Sequence, residues 1–189
     1  MMVHNAIGMS VIAALGDEEQ KSRLLPQGMK FERIYSFGLT EPEYGSDASS
    51  LKTSARKVEG GWVLNGQKRW IGNGTISDVI VWARNVDDGN RIQGFVVDKD
   101  SPGMRATKIE GKMALRAVQN ADILLKDCFV PDNNKLTYAT DFATGTNKIL
   151  EASRLMIAWA AAGVAAGAYE AAVKYTTQRV QFGKPIAQF

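Results

Sequence analysis

Seven short segments rich in β-branched and aromatic residues follow one another between Phe31 and Val130, with no helical stretch among them. They run over Ile34–Leu39, Leu51–Val58, Gly61–Trp70, Asp78–Asn85, Ile92–Lys99, Met104–Ile109 and Ala121–Val130. Turn formers punctuate them at Glu59-Gly60-Gly61, Asp87-Asp88-Gly89-Asn90 and Ser101-Pro102-Gly103, as strand-forming runs require. Strands joined by hairpin-like links, without crossover helices, predict an antiparallel barrel or sandwich.

Helical texture lies on both sides. Val3, Ile7, Val11 and Leu15 recur at every fourth position, the stripe of one helix face. Gly16 is expected to end that helix in the left-handed conformation. Asp17 with Gln20 reads as a capping box, opening a short helix that Pro26 should end. From about Asn147 to Thr177 an Ala-rich helix returns, and at 1.5 Å per residue some 30 residues would span about 45 Å. Gly163 and Gly167 would let a neighbouring helix approach it closely, and Gly183 and Pro185 close it. The fold class is therefore α+β: a helical remnant over residues 1–33, an antiparallel β domain over 34–136, and the first helix of a truncated helical domain over 145–189. Both ends read as interior to a longer chain.

Composition removes several functions. The chain has 45% hydrophobic and 23% charged residues, as globular proteins do. Its net charge of +3 is too small and dispersed for nucleic acid. Cys128 and His4 are the only residues of their types, so neither an internal disulfide nor a Cys/His metal cluster can form. The start lacks the basic-then-apolar layout of a signal peptide. The apolar stretch Leu155–Val173 carries Glu170 and is dominated by Ala and Gly, which favours a helix buried by partners over a membrane span.

Two runs carry chemistry. In Phe37-Gly38-Leu39-Thr40-Glu41-Pro42-Glu43-Tyr44-Gly45-Ser46-Asp47 a strand delivers Leu39 to a loop stiffened by Pro42 and freed by Gly45. Thr40 and Ser46 bring hydroxyls, and such a loop offers N–H groups to a heterocycle or a diphosphate. On the residues alone a plain capped turn is the better reading. In Asn65-Gly66-Gln67-Lys68-Arg69-Trp70-Ile71-Gly72-Asn73-Gly74 a hairpin signal precedes a flat ring beside a stretch of little side-chain bulk. Trp70 is either a platform for a ring system or a core residue. Glu41, Glu43 and Asp47 are expected to be solvated loop carboxylates, Glu151 and Glu170 surface or interface charges, His4 a packing or capping residue, and Cys128 a small core residue.

Together "LTEPEYGSD", "NGQKRWIGN", "ILEASRLMIAW" and "QRVQFGKPIAQF" resemble the acyl-CoA dehydrogenase/oxidase family over essentially the whole chain. The "KRWIGN" wording is most similar to the peroxisomal short-chain acyl-CoA oxidase and glutaryl-CoA dehydrogenase branch. Tyr44 departs from the family, which usually has a small residue there. The resemblance implies FAD as cofactor and α,β-dehydrogenation of short-chain acyl-CoA thioesters to enoyl-CoA in fatty-acid β-oxidation. It implies that Phe37, Gly38, Leu39, Thr40, Gly45 and Ser46 line the flavin and ribityl chain, with Trp70, Ile71 and Gly72 against the isoalloxazine. Ser46 and Arg154 would face the acyl-CoA substrate. Arg179, Gln181 and Phe182 would reach the FAD of a neighbouring subunit in a homo-oligomer, a dimer or tetramer, because a guanidinium suits a dianionic diphosphate. On the residues alone Arg179 reads better as a cation at a helix C-terminus.

The family's glutamate base lies downstream of Phe189, so these residues hold no catalytic base. Many dehydrogenases of the family carry threonine where Gly72 stands. Its replacement by glycine would open space for oxygen beside the flavin, which implies an oxidase in a peroxisome, with a dehydrogenase in the mitochondrial matrix as the alternative. A second class of function is a non-catalytic β domain that binds nucleotide or protein.

Overall fold

The computed structural model describes residues 3–189, which divide into two compact units, residues up to 150 and residues 151–189.

The first unit opens with a π-helical turn, Val3–Met9, continuing into α1 (Ser10–Leu15). Val11 and Leu15 of the apolar stripe are buried, as is Ile12 beside them. Gly16 ends the helix, but at φ −83° and ψ 150° it is extended and not left-handed. The chain passes straight into the N-cap of α2 (Glu18–Met29), where Asp17 and Gln20 form the expected reciprocal box. Pro26 does not stop this helix. The last turn persists around it because Gly28 is packed tightly against Met9 and Tyr35, and its carbonyl accepts from His4 Nε2 at 3.1 Å. Tertiary packing here outweighs the lost helix hydrogen bond. His4 Nδ1 accepts the Tyr35 N–H at 2.9 Å, so both ring nitrogens of this buried histidine are used.

The seven expected strands are present as β1 (Tyr35–Gly38), β2 (Ser54–Val58), β3 (Gly61–Gly72), β4 (Asp78–Asn85), β5 (Arg91–Val97), β6 (Met104–Lys108) and β7 (Asn120–Pro131). They form one curled sheet in the order β1-β4-β2-β3-β7-β6, with β5 also on β4. The antiparallel expectation holds for β2–β3, β3–β7, β6–β7 and β4–β5. It fails at β4, which pairs in parallel with both β1 and β2. Since β5 runs the length of one edge of β4, β1 and β2 share the other, at Asp78–Val81 and Arg84–Asn85 respectively. The loop between them therefore advances the chain along that edge without reversing it.

β4 explains the core, because all but one of its residues are buried. Successive side chains of a strand point to opposite faces. Ile80 and Trp82 pack with Val11, Ile12, Leu24 and Tyr35 on the helical side. Val79, Val81 and Ala83 pack with Leu64, Phe95, Ile123 and Leu125 inside the curl. Each such buried aliphatic side chain contributes roughly 1.5–3 kcal/mol. Cys128 lies in the second cluster, where burial pushes its thiol up to about 11.

The second unit contains most of α3 (Lys148–Gln178) and a small hairpin, β8 (Val180–Gln181) with β9 (Lys184–Pro185). Phe182 at φ 51° and Gly183 at φ 75° make its two-residue turn, the left-handed pair that suits a tight hairpin. The helical stretch Phe142–Gln178 is long and apolar enough to cross a membrane by length and composition, and 6% of its apolar window is buried. Nothing lies within 4 Å of the Cβ positions of Gly163 and Gly167.

Candidate functional site

Strand β3 changes its rule at one place. Lys68 faces the sheet interior and is fully buried, so alternation would turn Trp70 inward as well. A register irregularity between Lys68 and Ile71 intervenes, with Trp70 at φ 63°. Such a bulge re-aims side chains. Trp70 turns out to 51% exposure, and Ile71 takes the interior position at 2%. A left-handed backbone is unusual for a bulky residue, and neighbours hold it. Asn120 Nδ2 donates to the Trp70 carbonyl at 2.9 Å, and the Arg69 guanidinium lies 5.3 Å from the indole centroid. Arg69 is in turn paired with Asp122 at 3.2 Å. Trp70 is thus a presented ring and not a core residue.

The loop after β1 lies beside this bulge, joined by the Arg69 N–H donating to the Thr40 carbonyl at 2.8 Å. Leu39 is buried, Thr40 half-buried, and Gly45, Ser46 and Asp47 exposed. Among the described residues, the N–H groups of Gly45, Ser46 and Asp47 and the hydroxyls of Thr40 and Ser46 donate no hydrogen bond within the protein. Nothing lies within 4 Å of where a Cβ on Gly45 would sit. A stretch of free donors beside an exposed aromatic face fits a planar heterocycle with a polyhydroxyl and phosphate tail.

Glu41 overturns the expectation that the loop carboxylates are solvated. Glu43 and Asp47 are exposed, but Glu41 is buried at 6% exposure. Its Oε1 accepts from Lys68 Nζ at 2.8 Å, from the Thr53 N–H at 2.9 Å and from Thr53 Oγ1 at 2.5 Å. Its Oε2 accepts from the Lys52 N–H at 2.6 Å. Lys68 Nζ also donates to the Leu39 carbonyl at 3.1 Å. Burial pushes the Lys68 ammonium down to about 8, opposed by the Glu41 charge and hydrogen bond. Burial would raise Glu41, but the Lys68 charge and the Lys68, Thr53 and Lys52 hydrogen bonds hold it below the usual carboxylate range. The pair is therefore charged near neutrality. Sequence reading missed it because a lysine in a hairpin signal looks like surface; its inward position on β3, six residues after inward Trp62, was the available signal.

The remaining expected residues fall in different settings. Phe37 packs edge-on to Trp82 with centroids 5.9 Å apart, and a Cβ on Gly38 would meet Val79 at 2.8 Å. With Leu39 and Ile71 in the core clusters, the side chains of Phe37, Leu39 and Ile71 serve packing. A Cβ on Gly72 would lie 3.2 Å from Val3 Cγ2 and 3.6 Å from Val118 Cγ1. Two valines therefore border this position. Arg154, Arg179, Gln181 and Phe182 are exposed in the second unit, and the Arg179 carbonyl accepts from the Ile186 N–H at 2.8 Å. Among the described residues no group of three or more His, Cys, Asp or Glu is placed to hold a metal.

A groove of about 360 Å³ adjoins the loop, lined by Pro42, Gln67, Arg69, Arg105, Thr107 and Asp122 among others. It is open to water, with Arg69, Arg105 and Asp122 as well as the apolar Ile123 and Leu124 along its walls.

Residues 36–128 match the acyl-CoA dehydrogenase middle domain and residues 144–189 match the acyl-CoA dehydrogenase C-terminal domain. An acyl-CoA dehydrogenase of Bacillus subtilis is 38% identical over 99% of this chain and 50% of its own length. The mitochondrial isovaleryl-CoA dehydrogenase of Solanum tuberosum is 31% identical over 98% of this chain and 46% of its own. Glutaryl-CoA dehydrogenase from Mycobacterium smegmatis, solved in complex with FADH2, superposes with a TM-score of 0.92 at 36% identity, over 99% of this chain and 48% of that one. The chain spans about half the length of the curated relatives it matches. With both domain matches in order along one chain, it belongs to the acyl-CoA dehydrogenase family.

Proposed function

We propose that this chain supplies the flavin-cradling part of an FAD-dependent acyl-CoA dehydrogenase that converts an acyl-CoA thioester to its enoyl-CoA. The observation that carries the reading is Trp70, bulged out of β3 and held exposed beside a loop of free donors. In this reading residues 34–136 form the middle domain, residues 1–33 belong to the helical domain before it, and residues 145–189 begin the helical domain after it. The Trp70 ring flanks the isoalloxazine, together with the backbone of Ile71 and Gly72. The backbone of Phe37 to Thr40 and the donors of Gly45 and Ser46 orient the flavin and its ribityl chain. Ser46 also faces the acyl-CoA, as does Arg154. Arg179 binds the diphosphate of FAD in a neighbouring subunit of a homo-oligomer, with Gln181 and Phe182 in the same segment reaching that cofactor. Bound FAD would supply the redox chemistry by accepting hydride from the acyl β-carbon.

A dehydrogenase is preferred to an oxidase because the steric argument for oxygen access needs open space beside Gly72, and Val3 and Val118 border that position. The location then follows the mitochondrial alternative, as in the name of the potato relative, and not the peroxisome. Short acyl chains and a place in fatty-acid β-oxidation are the finer reading, based on the resemblance of the loop motifs. The full-length protein, loaded with FAD and given butyryl-CoA, tests all of this. Flavin bleaching without oxygen and turnover that depends on an added electron acceptor are expected. Rapid peroxide formation in air without an acceptor would make it an oxidase, and no bleaching with any short acyl-CoA would remove the substrate assignment.

A further inference from the structure

The loop from Leu39 to Thr53 leaves β1 and returns to β2 with few backbone hydrogen bonds of its own. Its free donors at Gly45, Ser46 and Asp47 nevertheless need fixed directions if they are to meet a ligand without a large ordering penalty. The structure has one device that reaches both ends of the loop. Lys68, fully buried, extends from β3 through the interior to the Leu39 carbonyl at the start and to Glu41 two residues on. Glu41 grips the far end through the N–H groups of Lys52 and Thr53 and the Thr53 hydroxyl. Thr53 is itself buried, and its hydroxyl lies 3.4 Å from the Gln67 carbonyl, next to Lys68 on β3. The strand that presents Trp70 thus also fixes the loop that faces it.

We infer that Lys68 is a positioning residue for the cofactor: through Glu41 it locks both ends of the 39–53 loop, so that the loop donors and Trp70 are arranged before FAD binds. This rests on the proposed flavin function and adds to it a residue that does not touch the flavin. A buried ion pair is an expensive way merely to hold a fold, since a well-packed apolar replacement is often neutral or better for stability. Stability and positioning can therefore be separated.

The test compares full-length wild type, Lys68→Met, and Lys68→Met combined with Glu41→Gln, which removes both charges and leaves no buried ion alone. Three quantities are read: the denaturation midpoint of the flavin-free protein, the rate of chymotrypsin cleavage after Tyr44, and the FAD dissociation constant. In the double variant the midpoint should return toward wild type while FAD affinity stays weaker by about tenfold or more, because the loop must be ordered on binding. Cleavage after Tyr44 should be several-fold faster than in wild type. A double variant that regains both stability and wild-type FAD affinity overturns the inference and leaves the flavin function standing. Wild type that binds no FAD, while the variants are still cleaved faster after Tyr44, overturns the flavin function and with it the role of Lys68 toward the cofactor.

Discussion

The two units of this chain treat apolar residues in opposite ways. In the sheet unit Val79, Ile80, Val81, Trp82 and Ala83 are all fully buried. In the helical unit Leu155 is 65%, Trp159 75%, Val164 74% and Tyr169 73% exposed. The first is a finished core, closed by helices on one face of β4 and by its own curl on the other. The second is a single long helix and a hairpin, and one helix cannot enclose its own side chains. Both stretches are strongly apolar in sequence, so composition alone does not separate a side chain that already stabilises its unit from one that needs a partner. The candidate site belongs to the finished unit, where a rigid sheet can hold an exposed tryptophan at an unfavourable backbone angle.

The largest expected effect contrasts two tryptophans. Trp82→Ala should destabilise the protein by about 3–5 kcal/mol, as loss of a fully buried aromatic does, while Trp159→Ala should stay within about 0.5 kcal/mol for the isolated chain. Urea denaturation of both variants reads the difference, and equal losses would break the contrast. Next in size is association. With its apolar helix uncovered, the isolated chain should sediment as oligomers or aggregates, which Trp159→Glu with Leu155→Glu should reduce. A monodisperse monomer at high concentration would mean that these residues need no partner. A smaller effect concerns acid. Glu41 is held below its ordinary value in the folded state, so its contribution is fully present above about pH 4.3 and is lost as pH falls further. Glu41→Gln should therefore flatten the acid limb of the stability curve relative to wild type, and an unchanged limb would show that Glu41 is not the group responsible. The smallest is Gly72→Ala, whose Cβ must push Val3 by a few tenths of an ångström; a loss of about 1 kcal/mol or less is expected.

The seven strands were legible because each combined β-branched residues with clear turn signals, and the capping box at Asp17 was legible because two side chains specify it. Strand direction at β4 was not, since a loop that advances the chain looks the same in sequence as one that reverses it. Pro26 misled because packing of Gly28 and His4 against Tyr35 maintains a helix that local propensity would end. At the site, the motifs drew attention to the loop and to Trp70, but whether the indole points in or out depends on a one-residue bulge. The Glu41–Lys68 pair was hidden for a similar reason: both residue types are ordinarily exposed, and only the register of β3 turns the lysine inward. The surroundings of Gly72 were not legible because the valines nearest to it lie 69 positions before and 46 after it in sequence.

The central claim is that the exposed Trp70 and the clamped loop form the flavin site, and FAD titration of the flavin-free full-length protein tests it most directly. Wild type should bind one FAD per chain, with quenched flavin fluorescence. Trp70→Ala should weaken binding by about tenfold, the value of roughly one aromatic stacking contact, while the unfolding free energy from urea denaturation stays within about 0.5 kcal/mol because the ring is exposed. Undiminished FAD affinity in Trp70→Ala, with the fold intact, would contradict the account.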